Sequence, residues 1–196
     1  MKPLLFHSDV AAILAAVTYG AVVLAELSLA VRTWRAGHAG ANRGAHWGLV
    51  LGPAIGIGVA VRAAEDLPSL ALPGPAWWPF ALGLGLIWTG LALRWWAVLE
   101  LGRFFQLTVV VQDDHRVVQT GPYRIVRHPS YSGLLLIFLG VGFTFGNWLG
   151  LAACLVLPVL GLLPRIRVEE AVLARRLGEP YRAYSAHTRR LIPHVW

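Results

Sequence analysis

Most of the side chains able to do chemistry fall in residues 110–131, VVQDDHRVVQTGPYRIVRHPSY. Tyrosine, arginine and imidazole groups crowd there between a Gly121-Pro122 turn and Pro129, which stops a helix before the next apolar stretch begins. A second cluster, Arg165-x-x-x-Glu169-Glu170, follows that stretch. Carboxylates accept hydrogen bonds from amines and hydroxyls, aromatic faces attract cations, and the planar fork of arginine pairs with carboxylates. The residues also have a plainer reading as interfacial anchors, with His128 as a helix cap and Arg165–Glu169 as an i,i+4 ion pair.

What must position these clusters is a set of membrane helices. The chain has 196 residues, of which 57% are hydrophobic and 14% charged, against about 25% charged in a typical soluble domain. The apolar content excludes disorder, and the lone Cys154 excludes a disulfide or zinc scaffold. Residues 10–31, 46–62 and 77–98 read as three spans, the second bent at Pro53 and the third edged by tryptophan pairs. Residues 133–163 are too long for one span and read as two helices turning at Gly146-Asn147. The expected architecture is therefore all-α and integral to the membrane, with five transmembrane helices, the last two a hairpin. Residues 1–196 form one domain, with three N-terminal spans in 1–98 and a chemistry-bearing half in 99–196. The first span is too long for a signal-peptide core and reads as retained.

Counting Arg94 near the end of the third span, fifteen of the 17 lysines and arginines fall after the first span, at or after the end of the third, or in the tail, leaving Lys2 and Arg62 on the other face. This asymmetry places the N-terminus outside and the tail in the cytoplasm. Within the tail, the spacing of Ile166, Val168, Val172, Leu173 and Leu177 predicts a cytoplasmic amphipathic helix ending at Gly178, with a second turn or helix after Pro180. The net charge of +7 comes from loops flanking spans, so it reads as a topology and headgroup signal, with no nucleic-acid partner. Gly52-x-x-x-Gly56, Gly142-x-x-x-Gly146 and Gly146-x-x-x-Gly150 read as ridges for close helix packing. GVGFTFG lacks the spacing of a dinucleotide fingerprint.

The two clusters flank a helical hairpin in a fixed order. G-x-Y-x-x-x-R-H-P-x-Y runs from Gly121 to Tyr131 and R-x-x-x-E-E from Arg165 to Glu170; G-E-x-Y-x-x-Y then spans Gly178 to Tyr184, and Arg190-Leu191-Ile192-Pro193 follows. As a set these strings resemble the isoprenylcysteine carboxyl methyltransferase family and its membrane methyltransferase kin. The resemblance covers residues 99–196, and the first three spans in hydropathy only. It implies an S-adenosylmethionine-dependent enzyme acting on a lipophilic acceptor, most closely the carboxylate of a prenylcysteine-like or other isoprenoid or lipid substrate. Kin of the same fold point to phospholipid, amine or thiol acceptors, or to a sterol-type reductase using NADPH; a non-enzymatic lipid-binding scaffold is a third reading. Carried across, the cofactor site comprises Gln112, His115, Arg116, Val117, Val118, Tyr123, His128, Pro129, Ser130, Tyr131 and Glu169, with Arg165 at the substrate.

The residue types suit that cofactor. A sulfonium cation is attracted by the face of Tyr123 or Tyr131, Glu169 accepts from amino or hydroxyl donors, and His128 donates to a carboxylate. Arg165 would clamp an acceptor carboxylate, whereas an amine or thiol acceptor would need a proton removed, with Glu170 or a histidine assisting. Glu26, alone inside the first span, either lines the pocket or snorkels, and Arg94 reads as snorkelling. Cys154 reads as packing, and the remaining histidines show no metal-ligand spacing. Composition rich in Ala, Gly, Leu and Arg suggests a bacterial inner-membrane protein, expected to act as a monomer with the bilayer as its partner.

Overall fold

The computed structural model describes residues 3–35, 43–105 and 116–193. They form six α-helices: α1 (Asp9–Arg35), α2 (Arg43–Asp66), α3 (Trp77–Leu101), α4 (Pro129–Thr144), α5 (Trp148–Leu177) and α6 (Glu179–His187). Among the described residues there is no strand, only two isolated bridges. Three stretches among the described residues are long and apolar enough to cross a membrane: Asp9–Thr33, Trp77–Phe104 and Trp148–Leu177. The 16 residues of α4 reach only about 24 Å, short of a hydrocarbon core of about 30 Å.

The turn expected at Gly146-Asn147 is there: α4 ends at Thr144, Gly146 takes φ 61°, and α5 starts at Trp148. Asn147 makes the turn rigid. Its side-chain oxygen caps α5 by accepting from Leu149 N and Gly150 N, and its amide donates to Ala63 O and Leu67 O, both at 3.0 Å, at the end of α2. One buried side chain thus satisfies helix-start donors and helix-end acceptors together.

Two differences from the sequence reading follow from backbone chemistry. Pro129 opens α4 rather than merely ending what precedes it, because the fixed φ of proline suits the first helical position. The tail does not begin a separate helix. α5 runs unbroken for 30 residues through Pro158 and Pro164, about 45 Å in length, and changes from apolar to amphipathic without a break. It stops at Gly178, whose φ of 62° favours glycine.

Close approach is set by small residues. A Cβ on Gly90 would lie 2.5 Å from Gly133 O, and one on Gly140 would lie 2.5 Å from Gly83 O, so α3 and α4 touch backbone to backbone. Gly52 and Gly56 bring α2 similarly against Leu157 and Ala153 of α5. Ala60, Ala64, Ile87, Leu91, Ile137, Val141, Phe145 and Cys154 fill the core between these pairs, with α1 laid over it through Tyr19, Val22 and Ala25.

Candidate active site

The start of α4 is held by the chain's C-terminal strap. Arg127 N donates to Arg189 O at 2.7 Å and His128 N to Arg190 O at 3.0 Å, while Ser132 Oγ donates to Leu191 O at 2.6 Å. Glu170 of α5 completes the joint by accepting from Arg127 Nε and Arg190 Nε, both at 2.9 Å. Arg127 also donates to Ser185 O and Thr188 O. The Tyr184 hydroxyl donates to Tyr123 O at 2.7 Å, tying α6 to the turn before α4. Burial raises the Tyr184 pKa to about 12.

Between these ties, α4 and α5 bring five chemistry-bearing side chains together. Arg165 Nε donates to the Tyr131 hydroxyl at 2.6 Å, and that hydroxyl donates to Glu169 Oε2 at 2.7 Å. The two members of the expected i,i+4 pair are therefore bridged by a phenol from the neighbouring helix. The His128 ring stacks on Tyr131 with centroids 5.5 Å apart. Its Nδ1 lies 3.9 Å from Glu169 Oε1 and its Nε2 lies 3.4 Å from Glu170 Oε1. Arg165 is buried, whereas the Glu169 side chain keeps 28% exposure. The cluster thus presents an accessible, oriented carboxylate beside an aromatic ring and a desolvated guanidinium. That combination accepts hydrogen bonds from a cationic ligand and pairs with an anionic one.

The other sequence-predicted positions are placed differently. Ser130 is buried on the side of α4 that faces Arg94, and Pro129 is buried beside it. Tyr123 is turned into the core, its hydroxyl donating to Ala97 O at 3.3 Å; burial first, then the nearby Glu169 charge, raise its pKa far above the ordinary tyrosine range. Arg116 is exposed and Val117 and Val118 are half-buried. Gln112 and His115 lie outside the described residues. His128 occupies the N-cap position of α4 but makes no side-chain cap bond, because its ring is turned toward the carboxylates. Glu170, read as a proton-removal aid, is instead engaged by Arg127, Arg190 and His128.

Arg94 does not snorkel. It is 3% exposed and forks onto Glu26 of α1, Nε to Oε1 at 2.5 Å and Nη2 to Oε2 at 2.7 Å. The signal for this pair was present in the sequence, since Glu26 and Arg94 are the sole charges in residues 10–31 and 77–98 and an isolated charge in lipid is costly. A separate cleft of about 360 Å³ is lined by Gln119, Arg124, Ala183, Tyr184, His187 and Thr188 and shares no residue with the cluster. No group of three or more potential metal ligands occurs among the described residues.

Comparison with known proteins gives three findings. The model of the isoprenylcysteine carboxyl methyltransferase (ICMT) family matches residues 82–175. Protein-S-isoprenylcysteine O-methyltransferase B of Arabidopsis thaliana is 32% identical over 121 residues, 61% of each chain, and the Schizosaccharomyces pombe protein-S-isoprenylcysteine O-methyltransferase is 33% identical over 103 residues, 52% of this chain and 44% of that one. A solved structure of the eukaryotic intramembrane Ras methyltransferase ICMT superposes with a TM-score of 0.63 at 25% identity, covering 79% of this chain and 55% of that one. The chain thus spans about three fifths of the length of the first of these curated relatives.

Proposed function

We propose that this chain, whose residues 82–175 match the model of the isoprenylcysteine carboxyl methyltransferase family, is a member of that family and an integral-membrane methyltransferase moving a methyl group from S-adenosylmethionine to the carboxylate of a prenylcysteine-like or other isoprenoid or lipid acid. The observation that carries this reading is the Arg165–Tyr131–Glu169 relay where the apolar part of α5 gives way to its amphipathic end.

The donor set fits the cofactor. When bound, S-adenosylmethionine supplies an activated methyl group on a sulfonium cation. Glu169, oriented by the Tyr131 hydroxyl, accepts from amino or hydroxyl donors, and the Tyr131 ring with the nearby carboxylates makes the site favourable to a cation. Arg165, pre-aligned by its bond to Tyr131, pairs with the acceptor carboxylate and directs one oxygen toward the methyl carbon. A carboxylate is already nucleophilic, so no side chain has to take a proton, which agrees with Glu170 being engaged by three cationic or imidazole partners. His128 lines the site, Pro129, Ser130 and Tyr123 pack behind it, and the family resemblance adds Gln112, His115, Arg116, Val117 and Val118 to the proposed cofactor site.

The proposed arrangement has five spans, α2 and α4 joining the three long apolar helices. The N-terminus lies outside and the strap and α6 lie at the cytoplasmic face of a bacterial inner membrane. A single chain supplies every residue of the cluster, in keeping with a monomer. Equilibrium binding to detergent-purified protein tests the reading: S-adenosylmethionine binds at micromolar concentration and NADPH does not. Binding of NADPH alone would replace it with the reductase reading, and binding of neither would remove the enzyme reading altogether.

A further inference from the structure

Arg94 uses its fork twice. Beyond the bidentate contact with Glu26, its Nη1 donates to Ser130 Oγ at 2.8 Å and to Ser130 O at 3.2 Å. Ser130 is the second residue of α4 and stands immediately before Tyr131, the phenol that joins Arg165 to Glu169. The contact is close because α3 and α4 touch there: a Cβ on Gly133 would lie 2.8 Å from Arg94 N. The guanidinium cannot be satisfied by water at 3% exposure, so its charge depends on Glu26, whose side chain is 33% exposed. Glu26 lies outside the segment that the family model matches, while Arg94 lies within it.

We infer that Glu26 and Arg94 are positioning residues: the α1 carboxylate holds the Arg94 fork, and the fork fixes the first turn of α4 so that Tyr131 meets Glu169 and Arg165. This rests on the methyltransferase reading for its effect on the cofactor, but its effect on α4 stands without it. The ordering runs through three helices. α1 supplies the counter-charge, α3 the donor and α4 the acceptors. A role limited to holding α1 against α3 would need the ion pair and not the bonds to Ser130.

The double variant Glu26→Leu/Arg94→Met separates these roles, because replacing a buried ion pair by apolar residues of similar size is commonly neutral or stabilising. The double variant is expected to melt at or above the parent temperature, yet to show faster amide exchange over residues 129–133 and S-adenosylmethionine affinity weakened by about tenfold. Arg94→Lys, which keeps the charge but not the fork, is expected to show the same faster exchange and weakened affinity. Parent-like exchange and affinity in a folded double variant would overturn the inference, as would full recovery of both by lysine. A parent chain that binds no S-adenosylmethionine overturns the methyltransferase reading, while the exchange measurement still decides the ordering of α4.

Discussion

Tyr131→Phe isolates the element on which the candidate site depends. The substitution keeps the ring against His128, with centroids 5.5 Å apart, and deletes only the hydroxyl that accepts from Arg165 Nε at 2.6 Å and donates to Glu169 Oε2 at 2.7 Å. Both lost bonds involve an ionised partner, each contributing about 1.5–3 kcal/mol net. Glu169 and Arg165 sit one helical turn apart and will partly re-pair, so cofactor binding is expected to feel about one of the two bonds. That corresponds to about a ten- to hundredfold weaker affinity for S-adenosylmethionine. The assay is a binding isotherm on detergent-purified protein, with the active fraction read from its amplitude and the affinity from its midpoint. The melting temperature of the same sample reports folding. A folded Tyr131→Phe protein with parent affinity would refute the claim that the phenol orients Glu169 for the cofactor.

Three further outcomes follow from the geometry. Arg165→Lys should lower methyl transfer by about tenfold or more with little change in cofactor affinity, since lysine keeps the charge and loses the fork; parent turnover would remove the carboxylate clamp. Gly90→Ala should destabilise the α3–α4 contact by about 1–3 kcal/mol through overpacking, whereas Gly85→Ala, with no atom within 4 Å of the added Cβ, should not destabilise; paired thermal melts check the difference. The Tyr184 pKa is raised from 10.0 to about 12, so the folded state retains its proton where the unfolded state has lost it. Its contribution to stability is therefore full below pH 10 and is lost as pH rises through about 10 to 12; melts across that window, with Tyr184→Phe as the comparison, read the loss.

The hairpin was legible because its determinants are local. An over-long apolar stretch broken by Gly146-Asn147 allows one solution, and the structure adds only that Asn147 reaches back to the end of α2. The α4–α5 cluster was legible as two strings whose order across the hairpin forces them to one end. The phenol bridge was not, because Arg165 and Glu169 look self-sufficient at i,i+4 spacing and nothing local reveals a third group from another helix. The continuity of α5 was hidden by its change of polarity at residue 164, since composition changes there and the backbone does not. Arg94 was misread for want of its partner: snorkelling is the answer for a lone arginine near a helix end, and Glu26 sits 68 residues away in sequence. The strap at 188–191 overlaps the Arg190–Pro193 string, but that string does not reveal where it docks; the strap is fixed by main-chain bonds to residues 127 and 128 and by the carboxylate of Glu170.

The most direct test of the central claim is transfer of a labelled methyl group from S-adenosylmethionine by membranes containing this protein. With a prenylated cysteine bearing a free carboxylate as acceptor, the account predicts label in the organic phase that is released by mild base, as a methyl ester requires, and that falls by about tenfold or more in Arg165→Lys membranes. Base-stable label on an amine or thiol would contradict the acid acceptor, and no cofactor-dependent label in any lipid fraction would contradict the methyltransferase itself.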